Sequence, residues 1–219
     1  MKSVLISIQP KWCEQIANGG KTIEVRKTRP KIETPFKCYI YCTKQFYRKG
    51  DGYFQGKHCG KVIGEFVCDY IANYEAELWN DETYERIQEF FEPDDFAEYG
   101  EYEYKTIADN GDDFWKDNML CAASCLSIEE LRKYVGCGIA TFYGWHISEL
   151  KIYDKPKELS KFITICPEWE KKYFDTKCLR CKHYFSNCAD MRHECTVEGE
   201  KPITRPPQSW CYVEGVEGK

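Results

Sequence analysis

The sequence predicts an α+β fold in which short strands dominate and the helices are brief. Two observations predict it: apolar and polar residues alternate over several short segments, and helical spacing is confined to short stretches carrying their own start and stop signals. At 219 residues the chain is long enough to bury a substantial core, so one domain plus a small accessory module is the natural division. Aromatic content of 16% and hydrophobic content of 42% exclude wholesale disorder. No apolar run approaches the roughly 20 residues of a membrane helix. The start Met1-Lys2-Ser3-Val4 lacks the long apolar stretch of a secretory signal. The expectation is therefore a cytoplasmic protein with no membrane partner.

Taken in order, residues 3–8 read as a strand and 10–18 as a short helix. Pro10 sits near the first turn, Trp12 and Ile16 share one face four residues apart, and Gly19 and Gly20 stop the helix. Lys21 falls just past that end. In the strand 22–27, Ile23 and Val25 face one way and Thr22, Glu24 and Arg26 the other, one side for the core and one carrying charge. On spacing alone, a Glu and an Arg two apart are usually a solvated pair of small energetic value. Strands follow at 37–43 and 61–70. In the latter, Val62, Gly64 and Phe66 alternate with Ile63, Glu65 and Val67, leaving Glu65 either an edge residue or a deliberately placed polar group. Between the two strands, Tyr47-Arg48-Lys49-Gly50-Asp51-Gly52-Tyr53 interleaves rings with cations, a composition that suits stacking a base and also makes hairpin tips.

Residues 71–118 are acidic and rich in aromatic rings, too rich for a solvated tail. They read as an insertion that folds partly as helices on the body, either a partner surface, a mimic of nucleic-acid charge, or a solvated face. Ser127 and Glu130 form a capping box that starts a short helix, and Gly136-Cys137-Gly138 ends it. Trp145–Tyr153 returns as a strand, and Ser209–Glu214 is the closing strand.

The net charge of −5 hides a segregation. Residues 75–117 hold 16 acidic and 3 basic side chains, whereas residues 1–61 hold 13 Lys or Arg against 4 Asp or Glu. A basic body of this kind is the footprint of a polyanion partner, or else an ordinary charged surface. Lys27, Arg29, Lys31, Lys37, Lys44, Arg48, Lys49 and Lys57 are the cations available to line it.

Fourteen cysteines in a chain without an export signal point to thiols and metal ligation rather than a disulfide scaffold. Cys38, Cys42 and Cys68 fall on strand faces as small packing residues. Cys178, Cys181, Cys188 and Cys195 have the C-x2-C-x6-C-x6-C spacing of a metal knuckle. Four thiolates satisfy tetrahedral Zn(II), which gives a short segment the folding energy its own core cannot supply. The expected cofactor is structural Zn(II). Alternatives are a redox dithiol at Cys178 and Cys181, an iron–sulfur cluster, or replacement of one thiolate by His183 or His193.

The stretch Gly19-Gly20-Lys21-Thr22-Ile23-Glu24-Val25-Arg26 resembles the G-x-K-x-x-[TE]-x-R signature of ASCH domains, members of the PUA-like superfamily. Val4–Pro10, Gly60–Phe66, Tyr143–Leu150 and Arg205–Trp210 are similar to further family elements in the expected order. The resemblance implies a PUA-like β-barrel with short helices over residues 1–160, interrupted by the 71–118 insertion. It also implies a closing strand in 205–219, so that the cysteine module, 161–204, is a graft and Cys211 belongs to the body rather than to the metal. As to function, it implies binding of RNA or a modified nucleotide in a cleft floored by Lys21, Glu24 and Arg26, with Thr22, Trp145 and His146 beside them. A lone histidine such as His146 is more often a structural residue.

Some proteins of this kind deacetylate N4-acetylcytidine, and others are described as ribonucleases. Lys21 matches the motif lysine of the former, but the threonine position holds Glu24, which removes the hydroxyl nucleophile. A hydrolysis would then use Glu24 as general base, Lys21 and Arg26 to stabilise an oxyanion, and Glu65 as a second carboxylate. A third reading is a protein-interaction module working through the acidic insertion.

Overall fold

The computed structural model describes residues 2–44, 58–78, 85–91, 103–109, 119–136, 138–164, 184–187, 192–195, 201–203 and 207–214. Strand β1 (Lys2–Ile8) leads into helix α1 (Pro10–Ala17), then β2 (Ile23–Arg26) and β3 (Phe36–Cys42). The β1–β3 pairing is parallel, with Leu5 opposite Tyr39, because α1 and β2 carry the chain back across the sheet. β4 (Val62–Cys68) returns antiparallel to β3, and β9 (Ser148–Lys157) pairs with β4. On the other side, β14 (Trp210–Glu214) runs antiparallel to β1, followed by β10 (Ile163–Thr164) and β13 (Lys201–Pro202). The result is a seven-stranded sheet in the order β13-β10-β14-β1-β3-β4-β9.

A second sheet of five strands has the order β2-β8-β5-β6-β7, with β5 (Ile71–Leu78), β6 (Glu85–Phe91), β7 (Glu103–Asp109) and β8 (Gly138–His146). The fold is thus a sheet-dominated mixture with few helices. Among the described residues the strand pairing gives these two sheets and one separate two-stranded pair. The strand expected over Trp145–Tyr153 is two strands meeting at Ile147, where the chain passes from one sheet to the other; Glu149 just beyond takes φ 46°.

The acidic stretch corrects the sequence reading. Where helices were expected, its described parts are β5, β6 and β7, and β5 pairs along its whole length with β8. Glutamate content favours helix locally, but the period of two prevails. Ala72, Tyr74 and Ala76 are buried on one side, alternating with Asn73, Glu75 and Glu77.

Three apolar clusters hold the body. Val4, Ile6 and Ile8 of β1 pack with Cys13 and Ile16 of α1, Phe36, Cys38 and Ile40 of β3, and Trp145 of β8, which joins the two sheets. Leu5 and Tyr39 point to the opposite face, where Leu159, Phe162 and Ile203 cover them. Helices α2 (Met119–Ser124) and α3 (Ile128–Val135) cover β2, β5 and β8 through Leu120, Leu131 and Val135 against Ile23, Val25 and Phe142. Gly144 is required here, since a Cβ would lie 2.8 Å from the Tyr74 ring. The α3 capping box forms as the sequence predicts: Ser127 Oγ accepts from the Glu130 amide at 3.2 Å, and the Ser127 amide donates to Glu130 Oε2 at 3.1 Å.

Candidate functional site

Helix α1 delivers Lys21. Its end is turned by Gly19 at φ 74°, after which the Gly20 and Lys21 amides both donate to the Gln15 carbonyl, at 2.9 and 3.1 Å. Thr22 then donates its amide to the Ala123 carbonyl at 2.8 Å, fixing the start of β2 against α2. From there β2 alternates, and Glu24 and Arg26 emerge on the same side as Lys21.

All three charged side chains are nearly inaccessible, with Lys21 at 3%, Glu24 at 6% and Arg26 at 7% exposure. Glu24 is clamped between the cations: Arg26 Nη2 is 2.9 Å from Oε1, and Lys21 Nζ is 3.4 Å from Oε2. The remaining donors go largely to the protein. Lys21 Nζ donates to the Ser124 carbonyl at 2.6 Å, and Arg26 Nη2 to the Ser7 carbonyl at 2.6 Å. Arg26 Nη1 reaches Ser209 Oγ at 3.4 Å. Arg26 Nε is buried without a hydrogen-bond partner. Two cations flank one anion, so the trio has a formal charge of +1 where desolvation is expensive, with Glu130 within electrostatic reach of Lys21.

The cluster floors a cleft of about 700 Å³ between α1, β2 and α3. Four cations line it (Lys11, Lys21, Arg26 and Lys133) against two carboxylates, Glu24 and Glu130. Trp12 and Tyr134 supply aromatic walls, and Ser7, Gln9, Thr43 and Ser209 supply neutral polar groups. Lys21 Nζ lies 5.3 Å from the Trp12 ring centre and Lys11 Nζ 4.1 Å. At the mouth, Lys11 and Glu130 form a 2.6 Å ion pair that ties α1 to α3. Burial pushes the Glu130 carboxyl up, and the Lys11 hydrogen bond and charge outweigh it and hold it below its ordinary value. Burial raises the Tyr134 hydroxyl, with Arg26 opposing from close by. The arrangement offers a ligand a cationic floor and two aromatic side chains.

The other residues singled out in the sequence lie elsewhere. Thr22 is exposed and outside the cleft lining. Trp145 is fully buried, edge-on to Phe36 at 5.9 Å, and its Nε1 has no hydrogen-bond partner. His146 Nδ1 is 2.6 Å from Asp69 Oδ1, and its ring stacks on Tyr70. Glu65 sits on the β4–β9 side, accepting from Tyr153 Oη at 2.5 Å and Lys37 Nζ at 3.2 Å. Arg29 and Lys31 line a separate hollow with Pro30, Glu33 and Thr34. The Tyr47–Tyr53 segment, with Arg48, Lys49 and Lys57, lies outside the described residues, as do Cys178, Cys181 and Cys188.

What the residue pattern missed are the walls. Trp12, Lys133, Tyr134 and Ser209 were read only as parts of helices and a strand; the helical period places Lys133 and Tyr134 on α3, but no local signal says that α3 faces β2.

No protein-family profile matches the chain, and no curated protein does. Among solved structures it is similar to ASCH from Zymomonas mobilis, at 15% identity and a TM-score of 0.47, covering 97% of this chain and 87% of that one. Two single-substitution variants of that ASCH protein are similar at 14% and 15% identity with TM-scores of 0.46 and 0.47, covering 97% and 98% of this chain and 88% and 91% of theirs.

Proposed function

We propose that this protein is an ASCH-type, PUA-like module that binds RNA or a modified nucleotide in the cleft between α1, β2 and α3. The observation that carries this reading is the buried Lys21–Glu24–Arg26 cluster with its excess positive charge, floored beneath two aromatic walls. A phosphate compensates that charge, while a base stacks against Trp12 or Tyr134. Glu24 orients both cations and offers acceptor lone pairs to a base amino group. The sequence resemblance supports the same reading through its lysine and arginine positions.

The test is fluorescence anisotropy with labelled single-stranded RNA, comparing wild type with Tyr134→Ala. Saturable binding weakened in the variant supports the proposal; equal binding by both proteins, or none, overturns it. Incubation with N4-acetylcytidine, followed by mass spectrometry, separates binding from hydrolysis: recovery of unchanged nucleoside restricts the cleft to recognition.

For the cysteine module, we propose structural Zn(II) held by Cys178, Cys181, Cys188 and Cys195. The support is their spacing, together with a hairpin of β11 (Tyr184–Asn187) and β12 (Arg192–Cys195) that sets Cys195 opposite Tyr184. Metal analysis of protein purified without added zinc tests it: one equivalent of zinc supports the site, and none opposes it.

A further inference from the structure

Cys13 on α1, Cys42 at the end of β3 and Cys59 just before β4 bring three thiols together behind the cleft wall. Cys42 Sγ is 3.8 Å from Cys59 Sγ. Cys13 reaches the Ile8 carbonyl at 3.6 Å and also hydrogen-bonds Cys42. Backbone geometry holds the Cys42–Cys59 pair in place: the Gly60 amide donates to the Cys42 carbonyl at 2.8 Å, and the Cys42 amide donates to the Lys61 carbonyl at 2.9 Å. Gly60, at φ 86°, makes the turn that aims Cys59 back at β3. The next residue after Cys42, Thr43, lines the cleft and donates its amide to the Ile8 carbonyl at 2.8 Å, whereas neither Cys42 nor Cys59 is part of the lining. A disulfide has a sulfur separation of about 2.05 Å, so the two sulfurs need to approach each other by under 2 Å.

We propose that Cys42 and Cys59 are a redox-active dithiol that closes to an intramolecular disulfide when the protein meets a peroxide. Cys59 is the partly exposed member and takes the first step. Its thiolate attacks one peroxide oxygen, the O–O bond breaks, and the departing hydroxide takes a proton to become water, leaving a sulfenic acid. The Cys42 thiolate then attacks that sulfur, the S–S bond forms, and the S–O bond breaks with loss of a second hydroxide, which is protonated to water. Two thiols and one peroxide give one disulfide and two waters, and the two electrons come from the sulfurs. The neighbours favour Cys42 as the attacking thiolate. A hydrogen bond from Cys13 draws it down, against burial, which pushes it up. Cys13 is held well above the ordinary thiol range by its hydrogen bond with Cys42 and by burial.

Differential alkylation of the full chain tests this. Reduced protein is treated with one equivalent of hydrogen peroxide, blocked with N-ethylmaleimide, digested at acidic pH and mapped by mass spectrometry. The expected product is a Cys42 peptide linked to a Cys59 peptide, absent after dithiothreitol and absent in Cys59→Ser. Cys13→Ala is expected to slow its formation several-fold at pH 7. Recovery of both peptides fully alkylated, at a peroxide dose that oxidises other cysteines of the chain, overturns the proposal. So does linkage of Cys42 to a cysteine other than Cys59. Protection of Cys13, Cys42 and Cys59 from alkylation without any linkage, the sign of a bound soft metal, also overturns it.

Discussion

Two ion clusters in this fold use the same residue types to different ends. Lys37, Glu65 and Tyr153 meet on the β4–β9 side of the larger sheet, where the Lys37 and Glu65 side chains are 35% and 16% exposed and Lys151 on the neighbouring strand adds a second cation within electrostatic reach. Lys21, Glu24 and Arg26 meet at 2–8% side-chain exposure, with two cations to one anion. The first cluster shares its field with water; the second lies at the poorly solvated floor of a cleft. Excess charge kept in a poorly solvated hollow is costly to the fold, and a partner of opposite sign relieves that cost. The two clusters therefore differ in exposure, and only the second carries the proposed recognition of an anionic partner.

The largest effect expected is on stability. Glu24→Gln leaves two buried cations facing each other across a neutral amide and is expected to lower unfolding free energy by about 3–5 kcal/mol in urea titrations. A loss as small as that of a surface pair would erase the contrast between the clusters. Next comes the aromatic wall: Tyr134→Ala is expected to weaken binding of single-stranded RNA by about 1–3 kcal/mol, roughly five- to 150-fold. On the more exposed side, Lys37→Ala is expected to cost about 1 kcal/mol or less, because the pair is partly solvated.

The smallest effect is a pH dependence. Burial pushes the Glu65 carboxyl up, but the hydrogen bonds from Tyr153 and Lys37 outweigh it and hold it below its ordinary value of 4.5. A lowered value in the folded state stabilises the fold above pH 4.5, and that contribution fades as the pH falls through the folded value. Melting temperatures between pH 6 and 3 are expected to fall less steeply in Glu65→Gln than in wild type. Parallel curves would assign Glu65 no such role.

Local pattern made much of this legible. The alternation in β2 put Glu24 and Arg26 on one side, the Gly19 stop put Lys21 beside them, and Ser127 with Glu130 marked the start of α3 to the residue. The seven-stranded sheet's central strands also follow from their apolar runs. What local pattern does not encode is which elements meet. Trp12 and Tyr134 are separated by more than a hundred positions, and the face α3 turns to β2 depends on Leu131 and Val135 finding Ile23, Val25 and Phe142. The acidic segment was misread for the same reason: Glu-rich composition speaks for helix, while its pairing partner β8 lies about 65 residues downstream and decides for strand. His146 and Trp145, adjacent to the charged strand in register, point away from the cleft because β8 alternates them into the core and toward Asp69.

The most direct test of the unbalanced cleft is the salt dependence of RNA affinity, measured by anisotropy for wild type and Lys133→Ala, a cleft cation whose side chain is exposed. The logarithm of the binding constant should fall linearly with the logarithm of salt concentration, and the variant's slope should be shallower by about one. A flat response in wild type, or an identical slope in the variant, would contradict a cleft that works through its excess positive charge.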